Sequence, residues 1–127
     1  MREPLLTDQD ILARLNFIRN KKQEYFICFS LDSGQRVITR RTVTIGLLDV
    51  VLAHPREVFS GPLKDRAASI IVAHNHPSGD VAPSKTDIQV TQQLVAAGQL
   101  IGIRLYDHII VATRGYYSFR SSYLIVD

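Results

Sequence analysis

Apolar residues at Ile11, Leu12, Leu15 and Ile18 recur at the spacing of one helical face. They follow Thr7-Asp8-Gln9-Asp10, which offers an N-cap and first-turn acids, so the pattern predicts a first helix ending near Lys22. Residues 24–31 are rich in aromatic and β-branched side chains, Asp32-Ser33-Gly34 is turn chemistry, and residues 36–44 are again β-branched. A β-hairpin is predicted there. Residues 47–53 fit a short strand or a buried helical turn. Pro55-Arg56-Glu57 suits a helix start with proline at its first position, weakened or bent at Gly61-Pro62. Ser69-Ile70-Ile71-Val72-Ala73 is a short apolar run of the kind found in central strands buried on both faces, and it leads directly into His74-Asn75-His76. Pro77-Ser78-Gly79-Asp80 breaks regular structure. Pro83-Ser84 then precedes a helix over 85–97, with Gly98 as its stop. Residues 101–112 predict two strands or one bent strand around Tyr106-Asp107-His108, and 116–126 a last strand or short helix. Strands interspersed with helices predict an α/β domain of two or three layers around a mixed sheet.

At 127 residues, 46% of them hydrophobic and 21% charged, the chain can bury one core, and two independent cores would each be marginal. A single domain over 1–127 is expected, its first 23 residues forming the N-terminal helix. Intrinsic disorder is excluded by composition. No apolar run approaches the roughly 20 residues of a membrane span, and the start Met1-Arg2-Glu3-Pro4 turns polar at once, unlike a secretory signal. A cytoplasmic protein is expected. The lone cysteine, Cys28, excludes an internal disulfide framework and a multi-cysteine zinc site; among Tyr25, Phe26, Ile27 and Phe29 it reads as a core residue. The net charge of +3 is scattered and permits nucleic-acid contact without demanding it.

The chemistry concentrates in residues 74–87. Residues two apart on a strand face the same way, so His74 and His76 at a strand end can direct both imidazoles to one point. After the turn, the first turn of the next helix can bring back the Asp87 carboxylate. Two nitrogens and one oxygen suit Zn²⁺ and leave a fourth tetrahedral position open for water, which is the pattern of a catalytic site. Such a water needs a base, and Glu24 is preferred over Glu57, which is expected to begin a surface helix. Ser84 could hydrogen-bond the oxyanion formed on a carbonyl under attack. The rival reading of Ser84-Lys85-Thr86-Asp87 is a capping box, outweighed by the two histidines just upstream. Asp107-His108 could add a supporting hydrogen bond, but adjacent strand residues face opposite ways, so structural roles are assigned to both. Ser78-Gly79-Asp80 is expected to shape the loop lining the site, and His54 to be a loop residue.

His-x-His-Pro, six residues, then Ser-x-x-Asp, with an upstream glutamate, resembles the JAMM motif of the JAB1/MPN metalloprotease superfamily. The fuller string His74-Asn75-His76-Pro77-Ser78-Gly79, the Pro83-Ser84-Lys85-Thr86-Asp87 continuation and Asp107-His108-Ile109-Ile110 resemble the bacterial RadC proteins, over residues 24 to about 118. The resemblance implies a three-layer α/β/α, cytidine-deaminase-like fold. It also implies zinc ligands at His74, His76 and Asp87, Glu24 as general base and Ser84 as oxyanion support. Members of that family usually carry an N-terminal helix-hairpin-helix region suggesting DNA contact, which this sequence does not contain, as in an excised domain. Asn75 stands where the deubiquitinating branch has serine or threonine, so isopeptidase specificity does not transfer with the motif.

The expected activity is a zinc-dependent hydrolase of the JAMM type acting on a peptide or isopeptide-like amide. The expected partner is accordingly a peptide or protein, with no membrane. Two alternatives stand beside it: a metal-dependent nuclease or DNA-repair factor contacting nucleic acid, and a noncatalytic zinc-containing binding module.

Overall fold

A computed structural model describes residues 7–49 and 52–126. Helix α1 (Asp8–Arg14) leads through a 3₁₀ turn (Asn16–Ile18) to the strands β1 (Tyr25–Leu31) and β2 (Val37–Ile45). Helix α2 (Pro55–Asp65), β3 (Ser69–Asn75), α3 (Lys85–Ile101), β4 (Arg104–Ala112) and β5 (Gly115–Ser118) follow. The strands form one mixed sheet in the order β2-β1-β3-β4-β5, with β3 and β4 parallel and the other neighbours antiparallel. All seven residues of β3 are buried, as its apolar run predicts.

Alternation along the strands sorts the core into two layers. Phe26, Cys28, Ile70, Val72 and Ile110 pack with Val58 and Phe59 of α2 and Val90 and Leu94 of α3. Ile27, Phe29, Ile71, Ala73 and Ile109 pack on the opposite face with Ile11, Leu15 and Ile18. The result is a three-layer α/β/α sandwich. Among the described residues, no helix is long and apolar enough to cross a membrane.

Four boundaries differ from the sequence pattern. The first helix stops at Arg14, well short of Lys22. Asn16 is a poor helix former, and the tighter 3₁₀ turn still buries Ile18 beside Leu15. Helix α3 runs through Gly98 and ends at Gly102, whose φ of 78° supplies the left-handed cap. Gly98 has another function: a Cβ there would lie 2.4 Å from the Ile103 carbonyl oxygen, so its missing side chain lets the chain turn back directly against the helix. Of residues 101–112, Ile101 ends α3 and Arg104–Ala112 form one strand with a bulge, since Ile70 faces Leu105 but the next residue, Ile71, faces Asp107. Within residues 47–53, Val50 and Val51 lie outside the described residues and the rest forms bends and a turn, neither strand nor helix. Residues 1–6 also lie outside them. His54, expected as a plain loop residue, caps α2, its Nδ1 accepting from the Arg56 amide.

Candidate metal centre

The parity that packs Val72 against α3 carries on to His74 and His76, which leave the carboxyl end of β3 on the α3 side of the sheet. Ser84 caps α3: its Oγ accepts from the Asp87 amide at 3.0 Å, while Asp87 Oδ2 accepts from the Ser84 amide at 2.8 Å. This capping box fixes the carboxylate in the first helical turn, pointing back at the two imidazoles. His74 Nε2 lies 3.1 Å from His76 Nε2 and 3.2 Å from Asp87 Oδ1, and His76 Nε2 lies 3.1 Å from Asp87 Oδ2. Capping and convergence on one point are therefore not rivals. One carboxylate does both.

These separations can be tested against a metal. Ligand bonds of about 2.0–2.1 Å in a tetrahedron put donor atoms about 3.3–3.4 Å apart. The two nitrogens stand within a few tenths of an ångström of that spacing from each other, and each stands equally close to one of the two Asp87 oxygens, so His74, His76 and Asp87 fit a small divalent cation. His76 Nδ1 is 2.7 Å from the Asp80 carbonyl, which can only accept, so Nδ1 carries a proton and Nε2 is directed to the common point. His74 is fully buried and Asp87 nearly so. Burial would raise the Asp87 carboxyl, but the imidazoles of His74 and His76 and the Ser84 amide outweigh it and hold the group well below the usual carboxylate range. The Asp87 carboxylate in turn raises His76 above the ordinary histidine value, against a smaller opposing effect of burial.

The centre borders a cleft of about 460 Å³ whose walls include Glu24, Leu47, Leu48, His76, Ser84 and Asp87. Glu24 sits just before β1, on the same wall. Its Oε2 accepts from the Leu48 amide at 2.8 Å and its carbonyl from the Gly46 amide at 2.8 Å. Glu57 lies instead in the first turn of α2 and is exposed. The expected loop Ser78-Gly79-Asp80 does shape the site, through the Asp80 carbonyl bonded to His76. Cys28 is buried in the core, where desolvation pushes its thiol up to about 12, so it is inert as a nucleophile at neutral pH.

Two residues have contacts that the sequence pattern does not assign to them. Asn75 points to the sheet face opposite the two histidines. Its Oδ1 accepts from the Tyr25 amide at 2.7 Å, and its Nδ2 donates to the carbonyls of Gln23 at 2.9 Å and Lys21 at 3.3 Å. The residue between the ligands thus clamps the segment that carries Glu24. His108 is the second. The bulge in β4 shifts the strand's phase, so Leu105 and His108 both face α3, and His108 Nε2 comes within 2.8 Å of His74 Nδ1. The structural role assigned to His108 therefore extends to direct contact with a candidate ligand. Asp107 does face away, and its carboxylate accepts from the amides of His108 and Arg120 and from the Ser118 hydroxyl. A hint was available in Thr91, four residues after Asp87 and so on the same helical face.

The model of one protein family, described as a RadC-like JAB domain, matches residues 6–124. Among curated proteins the chain is similar to UPF0758 proteins of Bacillus licheniformis, at 52% identity, and of Bacillus mycoides and Bacillus anthracis, each at 48%. Each alignment runs over 103 residues, 81% of this chain and 46% of the relative. The chain therefore spans about half the length of the relatives it matches.

Proposed function

Because the chain belongs to the RadC-like JAB domain family, we propose that it is a zinc-dependent hydrolase of the JAMM type, cleaving a peptide or isopeptide-like amide. The observation that carries this reading is the convergence of two imidazole nitrogens and a carboxylate within 3.1–3.2 Å of one another at the wall of an open cleft. His74, His76 and Asp87 would hold the ion. When bound, zinc lowers the pKa of a coordinated water toward about 7.

The remaining steps belong to side chains of this chain. Glu24 Oε2 is occupied by the Leu48 amide, which leaves Oε1 to take the proton of the attacking water and pass it to the departing amine. Ser84 Oγ already accepts from the Asp87 amide, so its hydroxyl hydrogen remains available for the oxygen that gains charge on the substrate carbonyl. The exposed Leu47 gives the cleft an apolar rim against which a substrate side chain can pack.

The test measures zinc content and hydrolysis on a panel of fluorogenic peptide and isopeptide amides. Stoichiometric zinc is expected in the parent and should be lost in His76→Ala. Glu24→Gln should keep the zinc and lower the rate by about 10²–10⁴-fold. Absence of stoichiometric zinc, or Glu24→Gln turning over at the parent rate, overturns the reading. The nucleic-acid alternative predicts DNA binding that weakens steeply with salt, and a flat isotherm at low salt removes it.

A further inference from the structure

Behind His74, on the side away from the cleft, lies a chain of polar groups buried among apolar side chains. His74 and His108 are fully buried and Thr91 nearly so, and the His108 ring stacks on Phe119 with centroids 4.5 Å apart and meets Phe26 edge-on. Water cannot complete their hydrogen bonds, so each contact must be satisfied by its neighbour.

The proton positions follow from one fixed end. Thr91 Oγ1 lies 2.8 Å from the Asp87 backbone carbonyl and 2.6 Å from His108 Nδ1. A carbonyl has no hydrogen to give, and a hydroxyl has one. Both contacts are satisfied only if Thr91 donates to the carbonyl and accepts from His108 Nδ1–H. The imidazole tautomer that has its hydrogen on Nδ1 has its lone pair on Nε2. The 2.8 Å contact of His108 Nε2 with His74 Nδ1 requires the hydrogen to sit on His74. That leaves a lone pair on His74 Nε2, aimed at the point shared with His76 and Asp87.

We propose that Thr91 and His108 are positioning residues that set the His74 tautomer, holding its Nε2 free to bind the metal through the relay Asp87 carbonyl, Thr91 hydroxyl, His108, His74. The relay begins and ends on the metal centre, because Asp87 supplies the carboxylate at one end and the anchoring carbonyl at the other. The proposal rests on the metal-site reading above. Orientation of a ligating histidine through its second nitrogen commonly affects metal affinity by about 10–100-fold.

The experiment is zinc affinity by chelator competition, with ¹⁵N-resolved histidine tautomers in the zinc-free protein. Thr91→Val should weaken zinc about tenfold and His108→Phe by about 10–100-fold, whereas Thr91→Ser, which keeps the hydroxyl, should stay within about threefold of the parent. In the parent, His74 and His108 should both be protonated at Nδ1. A role confined to packing would lower melting temperature in these variants but leave zinc affinity and the His74 tautomer unchanged. Zinc affinity of Thr91→Val within about twofold of the parent, or a His74 ring protonated at Nε2, overturns the relay. Failure of the parent to take up zinc sinks the metal reading instead, while the tautomer spectrum still decides the relay.

Discussion

Replacing Asn75 with alanine separates the role of the clamp from that of the candidate ligands on either side of it. The amide makes three hydrogen bonds, of 2.7, 2.9 and 3.3 Å, from a side chain with no exposed surface. Each intramolecular hydrogen bond contributes a net of about 0.5–1.5 kcal/mol. Lys21 and Gln23 are exposed, so their freed carbonyls can turn to water and the cost there falls at the low end; the Tyr25 amide, half-buried, loses more. A total of about 2–3 kcal/mol follows. With an unfolding entropy of about 2.1 cal/mol/K per residue, a chain of this length loses about 4 °C in Tm per kcal/mol, hence about 8–12 °C. The clamp flanks Glu24 on both sides, so its loss should also displace the proposed base, and on that reading a shift of about 1 Å costs up to about 10²-fold in rate. Zinc content should stay stoichiometric, since the three donors are held by the strand end and the α3 cap. Asn75→Asp should be worse than alanine near neutral pH, because it sets a carboxylate against two carbonyl oxygens. Calorimetry, metal analysis and amide hydrolysis on the same preparation provide the check. A Tm within about 3 °C of the parent, or a fall in activity matched by an equal loss of zinc, would refute the clamp.

Two further outcomes follow from the same geometry. His76 is raised chiefly by the Asp87 carboxylate, so its contribution to folding is complete below about pH 6.5 and disappears as pH rises through its folded value; Asp87, held low, contributes above about pH 4 and loses that contribution on acidification. The Tm advantage of the zinc-free parent over His76→Ala should therefore shrink from pH 6 to pH 8, a comparison that sets aside the opposite contribution of His108, held low by burial, while the gain on adding zinc to the parent grows over the same interval as protons stop competing, reaching about 2.7 kcal/mol at one hundred times Kd; parallel pH dependences of the parent and His76→Ala would count against this. Gly98→Ala should destabilise by about 1–3 kcal/mol despite alanine's helix propensity advantage of about 1 kcal/mol, because the new Cβ meets the Ile103 carbonyl and not a flexible side chain; a neutral or stabilising result by denaturant titration would show that β4 can yield.

How much of this was legible depended on whether a signal is local. The hairpin, the buried central strand and the Ser84–Asp87 cap are written in contiguous residues, and the i, i+2 histidines follow from strand alternation alone. Gly98 misled because the same residue type that ends helices also permits close backbone approach, and only the position of Ile103 separates the two. His108 was hidden by the bulge opposite Ile71, which reverses the facing of every later residue in β4 relative to Leu105. Asn75 was overshadowed by its neighbours: a polar residue at the end of a buried strand gives no indication of which distant backbone groups need it.

A helix cap and a metal site each account for Ser84 and Asp87 alone. Their coexistence has a physical consequence. A carboxylate free to rotate would have to be ordered when an ion binds, and two imidazoles facing a mobile acid would have to be ordered with it. Here the Ser84 amide fixes one carboxylate oxygen, the Asp80 carbonyl fixes the His76 ring, and His108 fixes the His74 ring. Those bonds form on folding, as part of helix capping and core packing. The donors therefore stand together before any ion arrives, and their convergence leaves two nitrogen lone pairs and an anionic oxygen facing one another. Such a cluster is stabilised by a shared positive charge, whether a proton on His76 or a divalent cation. The raised His76 and the lowered Asp87 are the proton's signature of that need. A cation that satisfies all three donors at once displaces the proton by meeting the same electrostatic demand more completely.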